Sequence, residues 1–474
     1  MTAPGSHRRL DLPPAALRHL VAVRPDFFPV LFDSAASAGG GTRRTRTMLA
    51  AAPLGLLALT RDRRLVTSGE APTPKPVHGR GETGGFFGAL DAWWRDARAR
   101  GPATQGLAGG WVVYLGYELA CEIEPSLRLP PGRLPWRALA LRVAGALVHD
   151  HAAGTVDLEV APGDEARLDG IEREVAASLA GMSTGTASIA ASPRIEPRID
   201  PQVEEEPAGR FLERVARAQD HIRAGDIYQA NLSRWWRAAC TAHATAPLYE
   251  RLRDANPAPF AAYARFEGMD LLSSSPERLL ETRGREASTR PIAGTRPRSL
   301  RPGEDARETA GLAAHPKERA EHVMLIDLER NDLGRVCEAG SVRVDEYMAV
   351  ETYAHVHHIV SNVRGTLRPG VTPIDALRAV FPGGTITGVP KVRCMQIIAE
   401  LEGEGRDAYT GSLGWLSVAG DADFNILIRT LTVAGGLLEV RAGAGIVADS
   451  NPARELEETR AKARGLLAAL GARA

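Results

Sequence analysis

The chain is poor in the features that staple or anchor a protein. It has only four cysteines among 474 residues. Cys121, Cys240, Cys337 and Cys394 lie far apart and form no C-x-x-C pair, which excludes a disulfide framework and a cysteine zinc site. That usage fits reduced thiols in a cytoplasmic protein. No stretch approaches the ~20 apolar residues of a membrane span. The segment Met1 to Leu12 carries Arg8 and Arg9 with no apolar run behind them, so it is no secretory signal. Charge of one sign is not in excess: Lys+Arg and Asp+Glu both number 58. The balance argues against nucleic acid or an acidic membrane as the main partner. There is no G-x-S-x-G elbow, no H-E-x-x-H and no Rossmann glycine pattern after an early strand.

What is present is ample apolar material, 44% of residues, enough for a sizeable core. Small, proline-rich and acidic residues mark a seam, which divides the chain into residues 1–182, a linker at 183–209 and residues 210–474. Before the seam, 110–119 reads as a strand, 139–149 fits a strand better than a helix, and 166–179 reads as a helix. After it, strands are expected at 227–236, 260–266, 278–282, 354–364, 411–418, 424–433 and 437–443. Helical patterns cover 305–335 and 389–401, and Asn451 with Pro452 opens a last helix running to about Leu470. Consecutive strands outnumber strand–helix alternations. The expected class is α+β, with large, mainly antiparallel sheets packed together and helices outside.

Three groups of residues carry candidate chemistry. Glu318 and Glu321 share a helix face, and Glu455 and Glu458 repeat the spacing, with Lys462 one turn on. Such pairs are either solvated faces or, on two converging helices, a clamp for a hard divalent cation. The stretch 382–391, PGGTITGVPK, precedes a helix, and Gly443-Ala444-Gly445 precedes the last one. Each is either a plain turn or a cradle for an anion such as a carboxylate or phosphate. It is not a Walker loop, because Val389 stands where the lysine belongs. His358, Tyr409 and Arg429 lie on or beside expected strands. Arg429 interrupts an apolar run and needs an anion, from a ligand or an internal carboxylate. His358 reads as a satisfied core histidine or a catalyst.

The segments 290–298, 321–332, 382–391, 411–416 and 442–462 together resemble the chorismate-utilising enzymes over about 211–470. These include the large subunits of anthranilate synthase and aminodeoxychorismate synthase. The N-terminal part resembles the companion domain of that family through Leu31 to Ser34 and the YLGYEL stretch. The resemblance implies that Glu318, Glu321, Glu455 and Glu458 bind Mg2+, which holds the ring carboxylate of chorismate. It implies that His358 and Thr385 lie near the ring, and that Tyr409, Arg429, Gly445 and Lys462 surround the carboxylates. Glu277 would be the general acid that protonates the departing C4 hydroxyl, a role needing a raised pKa.

Relatives that add water carry a lysine where this chain has Gln229. Glutamine cannot act as that base, so ammonia is the implied nucleophile. The stretch IYQANLS at 227–233 and the segment 411–431 resemble aminodeoxychorismate synthase, whereas anthranilate synthases more often read FQVVLS. The expected product is 4-amino-4-deoxychorismate, towards 4-aminobenzoate and folate. Ala293 supports the alternative, anthranilate formation with pyruvate release, because some aminodeoxychorismate synthases carry a reactive lysine there. No cysteine has the Gly-x-Cys-x-Gly setting of an amidotransferase nucleophile, so a separate glutamine amidotransferase subunit is implied. The N-terminal part resembles a domain that can hold tryptophan.

Overall fold

The computed structural model describes residues 6–34, 45–73, 85–101, 104–180, 202–241, 244–298, 301–352 and 356–471. Its strands join edge to edge in antiparallel ladders, and helices cover their outer faces, as the α+β expectation requires. The long pair Arg46–Thr60 and Trp136–Asp150 anchors the N-terminal part. The pair Gln229–Ala239 and Leu437–Ile446 anchors the C-terminal part.

The two sides of the seam do not form separate sheets. Val30–Asp33 pairs with Phe260–Phe266, and Trp111–Leu115 pairs with Ser412–Leu416. The apolar core crosses the seam as well: Trp93 and Trp111 share one buried cluster with Leu377 and Phe424. Of the expected linker, 183–201 lies outside the described residues, but the end is folded. Glu204–Glu205 forms a short strand against Arg237 and Trp236. Glu206 is fully buried and ion-paired with Arg214 at 2.7 Å. The acidic run that suggests solvent in the sequence serves here to neutralise buried arginines, which require a paired anion.

Three expected elements are broken. The strand expected at 110–119 spans only Trp111–Leu115 and gives way to a helical turn at Tyr117–Leu119. The pattern at 305–335 is two helices, Pro302–Ala314 and Pro316–Gly334. His315 has ψ 114° because a residue before proline avoids the helical region. The expected strand 424–433 is also split, into Ala422–Asn425 and Thr430–Ala434. Between them the Ile426 N–H donates to the Glu277 carbonyl at 3.0 Å and the Leu427 N–H to Gly411 at 2.9 Å. These bonds replace ladder bonds, and Arg429 takes a left-handed φ of +50°. Arg429 is therefore no strand residue; it sits on a bend that leads into the candidate site. The last helix, Pro452–Ala469, begins as expected, with the Asn451 side chain accepting from Ala453 and Arg454 N–H groups, each at 3.1 Å.

Candidate active site

Glu277 follows directly on the strand Met269–Ser275, and its side chain is 5% exposed. The Thr385 hydroxyl donates to its Oε1 at 2.7 Å, and the Ile292 N–H also bonds to it. Burial dominates and raises the carboxyl to about 7, against the opposing pull of these donors and of the Lys462 and Arg429 charges. Close to neutral pH, Glu277 can therefore give up or hold a proton. Thr385 comes from the glycine-rich stretch 382–391. A Cβ on Gly384 would lie 2.3 Å from the Leu328 side chain, so the loop passes close against that helix.

His358 sits on the strand Val356–Thr366, 2% exposed. Its Nδ1–H donates to the Gly294 carbonyl at 3.1 Å, which leaves the lone pair on Nε2. Burial, reinforced by Arg429 and Lys462, lowers it to about 4, so the ring is neutral at physiological pH. Gly294 has φ +64°, and a Cβ there would meet Glu318 Oε2 at 2.1 Å. The register of this strand shifts between Ala293 and Thr295, which turns Gly294 out of the ladder. Ala293 brings no titratable group; it contributes backbone beside Gly294.

A second wall is built by Leu437–Ile446 and its partner strand. Lys462 Nζ donates to the Gly443 carbonyl at 3.0 Å and pairs with Glu458 at 2.7 Å. Gly443 and Gly445 leave room for the Gln229 and Asn231 amides and the Tyr409 hydroxyl, which approach these glycines within 2.6 Å of where a Cβ would stand. Glu277, Thr385, His358, Arg429 and Lys462 thus form one electrostatic neighbourhood. Lys462 links it through Gly443 to Tyr409, Asn231, Gln229 and Gly445.

The four glutamates are not assembled into one centre. Glu318 and Glu321 lie on Pro316–Gly334, Glu455 and Glu458 on Pro452–Ala469. Among the described residues no group of three or more His, Cys, Asp or Glu side chains is placed to hold a metal. Ionised carboxylates repel one another, and Glu458 is turned towards Lys462 instead. The donor chemistry suits a hard cation such as Mg2+; the arrangement described here does not gather it.

Sequence reasoning overlooked a buried hub. Arg406 donates to both oxygens of Glu402, at 2.9 and 2.6 Å, to the backbone carbonyl of Asn231 at 2.6 Å and to that of Ile386 at 3.3 Å. Its guanidinium lies 5.5 Å from the Tyr409 ring centre. One side chain thereby ties together the strand of Gln229, the loop of Thr385 and the turn of Tyr409. The signal was a Glu–Arg pair at i,i+4, which in a sequence looks like an ordinary surface pair. Also overlooked was Glu329, 4% exposed and raised by burial to about 8. A cavity of about 800 Å³ borders Pro382 and Lys391 and includes Tyr228, Met324 and Leu328. It is lined by none of Glu277, His358, Thr385, Tyr409, Arg429 or Lys462, so it is not the site assembled above. In the N-terminal part, Asp33 is buried and accepts from Tyr249 at 3.2 Å and Arg253 at 2.8 Å.

Residues 81–468 match the family model described as chorismate binding enzyme. Anthranilate synthase component 1 of Streptomyces coelicolor is 44% identical over 380 residues, spanning 78% of this chain and 74% of the relative. Aminodeoxychorismate synthase component 1 of Bacillus subtilis is 48% identical over 260 residues, or 55% of each chain. The crystal structure of anthranilate synthase component I from Streptococcus pneumoniae superposes with a TM-score of 0.75 at 29% identity, covering 90% of this chain and 93% of that one.

Proposed function

The chain belongs to the chorismate-binding enzyme family, and on that premise we propose that it is the large subunit of an aminodeoxychorismate synthase. It would convert chorismate and ammonia to 4-amino-4-deoxychorismate and water. The observation that carries the reading is Glu277: a buried carboxyl raised to about 7, held by Thr385 and acted on by the charges of Arg429 and Lys462. A hydroxide leaves poorly unless protonated, and a carboxylic acid of that pKa can supply the proton at neutral pH. Arg429 and Lys462 supply the positive charge that a dicarboxylate substrate needs. His358, kept neutral by burial and the charges of Arg429 and Lys462 and oriented by the Gly294 carbonyl, is a ring-side contact rather than a cation.

The nucleophile is inferred from Gln229. An amide cannot deprotonate water, so the entering group must already be nucleophilic, as ammonia is. The ammonia would come from a separate glutamine amidotransferase subunit. On the family resemblance, Glu318, Glu321, Glu455 and Glu458 are the proposed Mg2+ ligands; binding would have to draw the two pairs together, and the ion would supply charge for the ring carboxylate. The 4-amino product is favoured by Asn231, whose polar amide lies beside Tyr409, where anthranilate-forming relatives more often have valine. Ala293, and the name of the S. coelicolor relative, favour a second reading: anthranilate and pyruvate as products.

The deciding experiment incubates the purified chain with chorismate, Mg2+ and an ammonium salt. A 4-amino product that becomes 4-aminobenzoate only on addition of a lyase is expected. Direct appearance of fluorescent anthranilate with pyruvate would establish the second reading.

A further inference from the structure

Two buried carboxyls from different elements meet neighbouring residues of the glycine-rich loop 382–391. Glu277 accepts from the Thr385 hydroxyl at 2.7 Å. Glu329, on the helix Pro316–Gly334, meets the residue before it: a Cβ built on Gly384 would stand 3.3 Å from Glu329 Oε1. The two are near enough for the Glu277 charge to act on Glu329.

Glu329 is an expensive residue for a packed helix face. It is buried, and no lysine or arginine among the described residues pairs with it. The Lys391 ammonium is already taken, by Asp332 and by the Pro382 carbonyl at 2.9 Å. A buried, unpaired carboxyl keeps its proton. Burial first, and then the Asp332 charge, raise Glu329 to about 8, so at neutral pH it stays protonated beside a Glu277 that titrates near 7.

Asp332 lies three residues on and shares the helix face of Glu329. Asp332 and Lys391 line the cavity of about 800 Å³, whose lining also includes the exposed Tyr228 and Val323, so water reaches it. Glu277, Glu329 and Asp332 are therefore a series of carboxyls leading from the candidate site to a wet cavity that the substrate does not occupy.

We infer that Glu329 is a positioning residue that returns a proton to Glu277 after each turnover, with Asp332 and the cavity as its supply. Glu277 gives its proton to the departing hydroxyl, which leaves as water, and becomes a carboxylate. The proton on Glu329 then moves to Glu277, and Glu329 takes another from cavity water by way of Asp332. The nitrogen newly bonded to C4 sheds a proton to solvent, so none is consumed overall. With substrate in front of Glu277, a route behind the loop lets the acid reset without opening the site. This inference rests on the proposed function, because it assumes that Glu277 is the general acid.

The test is steady-state kinetics of the full chain with chorismate, Mg2+ and an ammonium salt. Glu329→Gln keeps the shape and removes the transferable proton. Its kcat should fall about tenfold or more, within the usual worth of a placed proton donor, while KM for chorismate stays within about twofold. The solvent deuterium isotope effect on kcat should grow, because proton return becomes the slow step. In Glu329→Ala, added formate should restore kcat in a saturable way and leave wild type unchanged; a merely structural role would give no such rescue. An unchanged kcat in Glu329→Gln, a loss that falls on KM, or a loss in Glu329→Ala that formate does not repair overturns the inference. Glu277→Gln turning over like wild type would instead overturn the role given to Glu277 under the proposed function, which separates the two failures.

Discussion

The Thr385 hydroxyl donates to Glu277 Oε1 across 2.7 Å, joining a glycine-rich loop to a carboxyl from the end of a distant strand. That bond favours the ionised form and opposes the burial that raises Glu277. Thr385→Val keeps the shape and removes the donor. The descending limb of the pH–rate profile should then move to higher pH by up to ~1 unit, since one hydrogen bond to a charged group is worth about that much. A profile unchanged in position would mean that Glu277 does not control that limb.

Glu277→Gln removes the acid without altering size. Turnover should fall by at least ~10²-fold, the usual contribution of a positioned general acid. Stability should respond in the opposite sense. The folded carboxyl titrates near 7, above its ordinary value of 4.5. The folded state therefore binds more protons than the unfolded chain between those values, and stability falls as pH rises from 4.5 through 7. The glutamine variant lacks this loss. It should melt higher than wild type above pH 7, by up to about 3 kcal/mol, and the two should converge in acid. Melting curves at several pH values check it.

Lys462 bridges the Gly443 carbonyl and Glu458 while its charge acts on both Glu277 and His358. Lys462→Met should raise KM for chorismate by ~10-fold or more, because a partly desolvated charge contact to a carboxylate is lost. Removing the cation should also raise the apparent pKa of Glu277, since it now pulls that value down. A change in kcat with KM and pH profile intact would count against a substrate contact.

Glu321→Gln tests the proposed metal. Turnover of wild type should vanish with a chelator and return with added Mg2+, and the variant should need far more Mg2+ or fail altogether. An unchanged Mg2+ dependence in the variant removes Glu321 from the ligand set. Calorimetric titration of Mg2+ without substrate reads the same ligands independently of turnover.

The residues that could be recognised from sequence were those whose spacing or strangeness has a local cause. The helix at 166–179 and the capped start at Asn451 follow from periodicity and capping, and they stand where expected; the antiparallel strands do so apart from 110–119 and 424–433. Arg429 was conspicuous because it interrupts an apolar run. Its actual setting depends on Glu277 and Gly411 drawing away the backbone bonds that a strand would use. No periodicity carries information about such a tertiary bond. The same holds for Arg406, whose partners Asn231, Ile386 and Glu402 are brought together only by folding. The break at His315 was readable, since Pro316 follows it, but the apolar pattern on both sides masked it.

The sheets shared across the seam make this chain indivisible. A fragment starting near residue 210 would lack both Val30–Asp33 and Trp111–Leu115, and so leave Phe260–Phe266 and Ser412–Leu416 each with a bare flank. Bare strand flanks recruit other chains. The exposed Phe260–Phe266 would be the direct neighbour of the strand that delivers Glu277. Trimming the N-terminal part away would therefore yield aggregates rather than a minimal catalyst, because the scaffold that aims the acid reaches back to Val30–Asp33.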